Sequence, residues 1–429
     1  MAKKSHRPLW MRLDNAGLIF PAAQRRHWSN AFRISVSFNE LVDPSFLQEA
    51  LQHAIHRFPS ICARIRRSTF WYFLEEVTEP PLVREDSWQP LVHMSRKETR
   101  RCAIRVLYYR DRMAVEYFHS VTDGTGALVF AKTLAAEYLR LRYNADIPCT
   151  HGVLDLHEKP LPEELEDSFK KHAGPVSAPR DSLHVYRIKG IREPDHFLHV
   201  TLGILDSTPL KEKSREFGIS VTTYLTALLL ESLIELQAED VPWQKRRKTV
   251  KVQIPVNLRK IFGSSTLRNF VAVVNIGADP RLGTYTLEEL IKIVYHQMQL
   301  GITEKNLRTI FTPNVNDEQN PLLKAVPLFL KNIIMRAVFD TVGERVSTLT
   351  LSNLGKIELP EEMAPYVKRV EFVLGPQSTA PYNMSVTSWN GQTFINIVRN
   401  TIEPRLEEKF FTKLVRLGFH VSVESNDRE

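Results

Sequence analysis

Apolar and polar positions change period along the chain, and the changes mark the elements. Residues 32–38 (FRISVSF) alternate with period two, the pattern of a strand with one buried face. In PSFLQEALQHAIHRFP, Leu47, Leu51, Ala54, Ile55 and Phe58 fall on one side of a helix, and Pro59 lies beyond its end. Strands are predicted over 102–109 and 113–118, joined by the short Arg110-Asp111-Arg112 link. A helix follows, with Ala127, Ala131, Leu134, Tyr138 and Leu141 at steps of four, three, four and three. Further on, the pattern predicts strands at 198–205, 250–254, 270–276, 348–351 and 370–374. Helices are predicted at 221–236, 287–300, 322–339 and 405–417. Asn390-Gly391, between two alternating runs, marks a two-residue hairpin turn. Helices and strands do not alternate as in βαβ units, so the expected class is α+β rather than a doubly wound sheet.

A chain of 429 residues is long for one domain, and two lobes are the default expectation. The seam falls between Pro148 and Asp195. Its sequence HEKPLPEELEDSFKKHAGPVSAPRDS is rich in proline and charge and poor in periodic apolar residues. The expected division is an N-terminal lobe over 1–165, a linker region over 166–195 and a C-terminal lobe over 196–429.

Hydrophobic residues at 43% and charged residues at 25% match an ordinary globular protein able to bury its own core. Cys62, Cys102 and Cys149 are odd in number and far apart, which suits reduced, mostly buried thiols of a cytoplasmic protein. The basic opening is interrupted by Arg12, Asp14 and Asn15, so it does not form the apolar core of a secretory leader. No apolar stretch approaches the ~20 residues that cross a bilayer. The net charge of +8 suits an anionic membrane surface, a phosphate-rich ligand, an acidic carrier protein or nucleic acid. Nucleic acid ranks last, because the chain has no aromatic-interleaved basic stripe and no zinc-finger spacing. The one tight basic run, Lys245 to Lys248, is expected to be a solvated loop between a helix and a strand.

The candidate chemistry lies in residues 117–126, YFHSVTDGTG. His119 ends a strand, and Asp123-Gly124 opens the helix after it. A strand end holds the backbone rigid while the side chain meets open space, which is what a proton-transferring imidazole needs. On spacing alone, a catalytic imidazole and a core histidine beside a helix-capping aspartate are equally consistent. Other chemistries find less. The pairs His53/His56 and His196/His199 lack a third ligand, HExxH is absent, and no metal site is expected. No GxSxG elbow, GxxxxGK[ST] loop or GxGxxG run is present.

The stretch resembles the HxxxDG motif of the condensation-domain and chloramphenicol-acetyltransferase-like acyltransferase superfamily. Four further segments agree in order. MRLDNAGLIFPA (11–22) is similar to the opening of bacterial stand-alone alcohol-acetyltransferase-like proteins. IPVNLR (254–259), LSNLG (351–355) and TSWNG (387–391) resemble a strand end, a cleft segment and a late hairpin of that group. The resemblance spans nearly the whole chain. It implies two chloramphenicol-acetyltransferase-like lobes in one chain, with the active-site channel between them. It departs from peptide-synthetase condensation domains in having Phe118, not a second histidine, before His119. It also lacks the DFGWG motif of plant acyltransferases. No carrier or adenylation domain is evident in the sequence, and a stand-alone enzyme is expected.

What the resemblance implies for residues is specific. His119 matches the general base. Asp123 matches an aspartate held by an arginine, here Arg259, with Gly124 supporting the loop. Ser352 and Asn353 match a segment lining the cleft, where a hydroxyl or amide could serve a developing oxyanion, and Ser388 is a further candidate. The implied reaction moves an acyl group from a thioester to an alcohol or amine. Acyl-CoA or acyl-phosphopantetheine is then a co-substrate and no bound cofactor is needed. The partners are a small-molecule acceptor and, for a carrier-bound donor, an acyl carrier protein. The alternative is a non-catalytic protein of the same fold that binds acyl-CoA, lipid or a carrier protein.

Overall fold

The computed structural model describes residues 8–26, 28–177 and 185–427. Its main frame is two sheets. The first has five strands in the order Val367–Leu374, Ala31–Phe38, Arg112–Phe118, Ile104–Tyr109 and Arg84–Glu85. The second has seven, in the order Val271–Ala278, Val250–Asn257, Leu349–Lys356, Tyr382–Trp389, Gln392–Arg399, His199–Asp206 and Ser422–Ser425. Pairing is mostly antiparallel, but Leu349–Lys356 runs parallel to both of its neighbours. A smaller sheet joins Trp10–Arg12, Tyr72–Glu76 and Ala63–Arg67. The class is α+β, with one apolar core behind each main sheet.

The strand Ala31–Phe38 departs from the half-buried strand its alternation predicts. Both of its faces are buried. Phe32, Ile34, Val36 and Phe38 enter the first core. Arg33 and Ser35 lie on the other face, where Arg33 is neutralised by Asp86 and Glu116. Period two reports which face is apolar, not whether the polar face meets water.

The strand Val367–Leu374 ties the sheets together. It comes from the second half of the chain yet pairs antiparallel with Ala31–Phe38 at the edge of the first sheet. An edge strand leaves backbone groups unpaired. Here Ser385 Oγ donates to Phe372 O at 2.5 Å, Thr387 Oγ1 to Val370 O at 2.8 Å and Asn396 Nδ2 to Phe372 O at 3.2 Å. Polar side chains of the second sheet thus satisfy the free edge of the first.

The seam is also tethered at several points. Arg57 makes a bidentate pair with Glu164 at 2.5 and 2.8 Å. The short helix Ser168–His172 inserts Phe169 into the second core against Phe270 and Phe311. Positions 178–184 of the expected linker lie outside the described residues. The basic run at 245–248 follows the helix Val221–Asp240 and precedes Val250–Asn257, with Lys245, Arg246 and Lys248 exposed.

The helix expected over 322–339 is broken. Pro321–Ala325 and Leu328–Val338 are separate helices, because Pro327 supplies no N–H to continue the first and starts the second.

Candidate active site

The motif strand Arg112–Phe118 lies inside the first sheet, paired on both sides. His119 follows it, its backbone N–H donating to Asn30 O at 2.9 Å. The chain turns through Ser120 and Thr122 and enters the helix Gly124–Tyr143. Asp123 caps that helix, accepting from the amides of Thr125 at 3.1 Å and Gly126 at 3.2 Å. The remaining capacity of the carboxylate faces the other half of the chain. Arg259 donates to Oδ2 at 2.9 Å and Oδ1 at 3.0 Å, and Phe270 N–H donates to Oδ2 at 2.8 Å. The guanidinium also donates to the carbonyls of Thr266 and Arg268. Asp123 is therefore fully engaged, and Asp123 with Arg259 joins the two halves beside His119.

The glycines of the motif serve close approach. Neither has a positive φ. A Cβ on Gly126 would come within 2.1 Å of Leu267 O and 2.3 Å of Thr122 Oγ1. A Cβ on Gly124 would meet Leu354 Cδ2 at 2.9 Å. Thr122 Oγ1 itself donates to Leu267 O at 2.6 Å, so the loop is pressed against backbone that cannot move aside. Gly126→Ala is expected to cost about 3 kcal/mol, the upper part of the range for overpacking. An unchanged denaturant midpoint would show that the loop sits elsewhere.

The imidazole of His119 stands between the rings of Phe20, at 4.7 Å between centroids, and Phe32, at 5.0 Å. Its Nδ1 meets Asn269 Oδ1 at 3.1 Å. The amide of Asn269 is in turn oriented by Asp14, whose Oδ2 accepts from Nδ2 at 3.2 Å. A carboxylate accepts, so the NH2 end of Asn269 faces Asp14 and the oxygen faces His119. This network assigns the proton to Nδ1 and leaves the lone pair on Nε2. The backbone of His119 itself and of Thr122 also hydrogen-bonds the ring. Burial holds the imidazole below its ordinary value of 6.5, against the opposing pull of its backbone hydrogen bond, of Asp123 and of Asn269. Burial also pushes the Asp14 carboxyl up to about 6, although Arg268 works the other way.

His119 opens onto a cavity of about 640 Å³ lined by both halves of the chain. The first half contributes Phe20, Phe32 and Gly124, and the second contributes Asn257, Asn269 and Ser352. Ser352 has no side-chain hydrogen bond among the described residues. Asn353 also lines the cavity, but its amide is committed: Nδ2 donates to Thr222 Oγ1 at 3.0 Å and Oδ1 accepts from Gly355 N at 2.7 Å. Ser388 is not brought to the cavity. It lies near the hairpin turn with Oγ 3.0 Å from Thr393 Oγ1, because the strand Tyr382–Trp389 carries it past the cleft. Asp14 and Asn269 carry no motif in the sequence. Asp14 stood inside the opening segment 11–22, but nothing local linked it to a histidine 105 positions away.

No protein-family model matches the chain, and no curated protein matches it. Solved structures do. Polyketide synthase associated protein 5 from Mycobacterium tuberculosis superposes with a TM-score of 0.63 at 14% identity, over 95% of this chain and 97% of that one. TRI101 of F. sporotrichioides, complexed with coenzyme A and T-2, gives 0.62 at 11% identity, over 98% and 100%. The first condensation domain of the calcium-dependent antibiotic synthetase, in complex with a substrate analogue, gives 0.59 at 14% identity, over 96% and 97%. The chain therefore has the two-lobed α+β fold shared by condensation domains and chloramphenicol-acetyltransferase-like acyltransferases.

Proposed function

We propose that the protein is an acyltransferase acting in the cytoplasm, with His119 as general base in a channel between lobes 1–165 and 196–429. The observation that carries the reading is the Asp14–Asn269–His119 network, which leaves an unprotonated Nε2 at a large cavity. An alcohol or amine acceptor gives its proton to Nε2 as its oxygen or nitrogen attacks the thioester carbonyl. The tetrahedral oxyanion forms near Ser352, whose hydroxyl is the best placed donor of the three polar candidates. Collapse breaks the C–S bond, and the imidazolium returns its proton to the departing thiolate. Coenzyme A in the complex of TRI101, which has the same fold, supports acyl-CoA as donor, and the T-2 bound there supports a small-molecule acceptor. The name of the mycobacterial protein supports a carrier-bound acyl group as the other form of the donor.

The test is product analysis by mass spectrometry after incubation with a panel of acyl-CoAs and pooled alcohols and amines. An acylated acceptor that requires the protein supports the reading. Binding of acyl-CoA without any product, across CoA and carrier-bound donors alike, would instead identify a binding protein of this fold.

The depressed pKa of His119 fixes the sign of the pH dependence. The neutral imidazole is the active form, so the acid limb of kcat/KM should inflect below 6.5. Asn269→Asp would set a carboxylate against Nδ1 and favour the imidazolium, moving that inflection to higher pH. A limb that stays in place in the variant would mean that His119 is not the group being titrated.

A further inference from the structure

The helix Leu328–Val338 has two apolar faces. Leu328 is buried in the first core, and Met335 and Val338 line the cavity. The outer face carries Phe329, Leu330 and Ile333, with Phe329 57% and Ile333 66% exposed, while Ile334 lines the cavity. Phe70 on the neighbouring hairpin, whose carbonyl accepts from Lys331, and Leu322 on the preceding helix are exposed as well. Several large apolar side chains exposed on one helix face mark an interaction surface rather than scattered apolar residues.

This wall is fixed in place by polar contacts. Leu328 N–H donates to Thr69 O at 2.8 Å, Lys331 Nζ to Phe70 O at 3.1 Å and Asn332 Nδ2 to Tyr72 OH at 2.9 Å. Arg336 donates to the carbonyls of Ala22 and Gln24 at 3.2 Å. The outer apolar face is therefore presented by an anchored helix.

Its charge selects the occupant. From Pro321 to Phe339 the chain has no acidic residue, and Lys324 and Arg336 are exposed, whereas Lys331 is buried and Asp340, just beyond, is paired with Arg25. On the adjoining hairpin, residues 64–71 include Arg64, Arg66 and Arg67 and again no acid. Arg64 and Arg66 are paired with Glu75, while Arg67 and Lys324 are exposed beside the patch. An apolar helix face flanked by cations without acids fits the interface of an anionic bilayer. A second copy would set these cations against their own counterparts.

We propose that the outer face of Leu328–Val338, with Phe70 and Leu322, docks on an anionic membrane surface. No single helix among the described residues is long and apolar enough to cross a membrane, so the contact is peripheral. Resting on the acyl-transfer reading, the proposal also assigns a substrate class. A cavity whose wall is the docking helix takes a long-chain amphiphile from that surface.

The test is co-sedimentation of the full chain with phosphatidylcholine vesicles, with and without phosphatidylglycerol. The double variant Phe329→Asp/Ile333→Asp changes two exposed residues outside the cavity lining, and Phe329→Ser/Ile333→Ser removes the apolar surface without adding charge. Melting temperatures check that both stay folded. Wild type should bind the anionic vesicles, more weakly as salt rises, and both variants should bind at least about ten-fold more weakly. Wild type left in the supernatant, or variants that bind as well as it does, would overturn the proposal. So would a wild-type dimer in light scattering that the variants convert to monomer, since a second copy would then cover the face. Binding is read without turnover. A protein that transfers acyl groups yet ignores vesicles loses only the docking, and one that binds vesicles but transfers nothing loses only the acyl-transfer reading.

Discussion

Replacing Arg259 by alanine should destabilise the protein by about 3–5 kcal/mol, a large part of the stability of a typical domain. The cost arises from what remains. Asp123 keeps its amide donors at Thr125, Gly126 and Phe270 but loses both guanidinium bonds in a site closed to water. The carbonyls of Thr266 and Arg268 lose their donor at the same time. Arg259→Lys should recover only part of this, because one ammonium cannot reproduce a bidentate fork and reach those carbonyls as well. Urea unfolding of the two variants beside wild type checks the order. A midpoint for Arg259→Ala equal to wild type would mean that the pair does not join the halves.

The second large effect is on rate rather than stability. His119→Ala should lower turnover by ~10²–10⁴, the range for a positioned general base, while leaving the fold intact. The side chain is held by neutral hydrogen-bond partners, Asn269 and nearby backbone, and by contacts with Phe20 and Phe32, so its removal enlarges an existing cavity without stranding a charge. His119→Gln keeps a polar group there but has no lone pair of comparable basicity, and should fall nearly as far. The loss should appear in kcat more than in KM, because the proposed role is proton transfer in the transition state.

The two effects also mark what the sequence carries on its surface and what it hides. HxxxDG, the Pro-Val-x-x-Arg strand end and the strands beside them are local patterns, and the residues they point to do come together around Asp123 and Arg259. The hydrogen-bond network behind His119 is not local. Asn269 lies 150 positions from His119 and 255 from Asp14, and a buried asparagine has no periodic signature. Ser388 shows the converse, a motif residue that the register of its strand carries away from the cleft. Among the elements, Ala63–Arg67 and Tyr72–Glu76 carry little signal, since the first has only Ala63 and Ile65 on its buried face and the second is a three-residue apolar run followed by two glutamates. The helix Glu304–Gln319 has a weak signal because Pro313 stands inside it and few of its residues are apolar. Leu307, Phe311 and Val315 secure it by reaching the second core. The placement of Val367–Leu374 in the first sheet depends on pairing with residues more than three hundred positions away, and no local pattern reports that.

The measurement that bears most directly on the central claim is acceptor-dependent thiol release from acyl-CoA, run on wild type and His119→Ala side by side, with both shown to be folded by thermal melting. The account predicts release by wild type that requires the acceptor and falls at least about a hundred-fold in the variant. Equal acceptor-dependent release by the two proteins would contradict it.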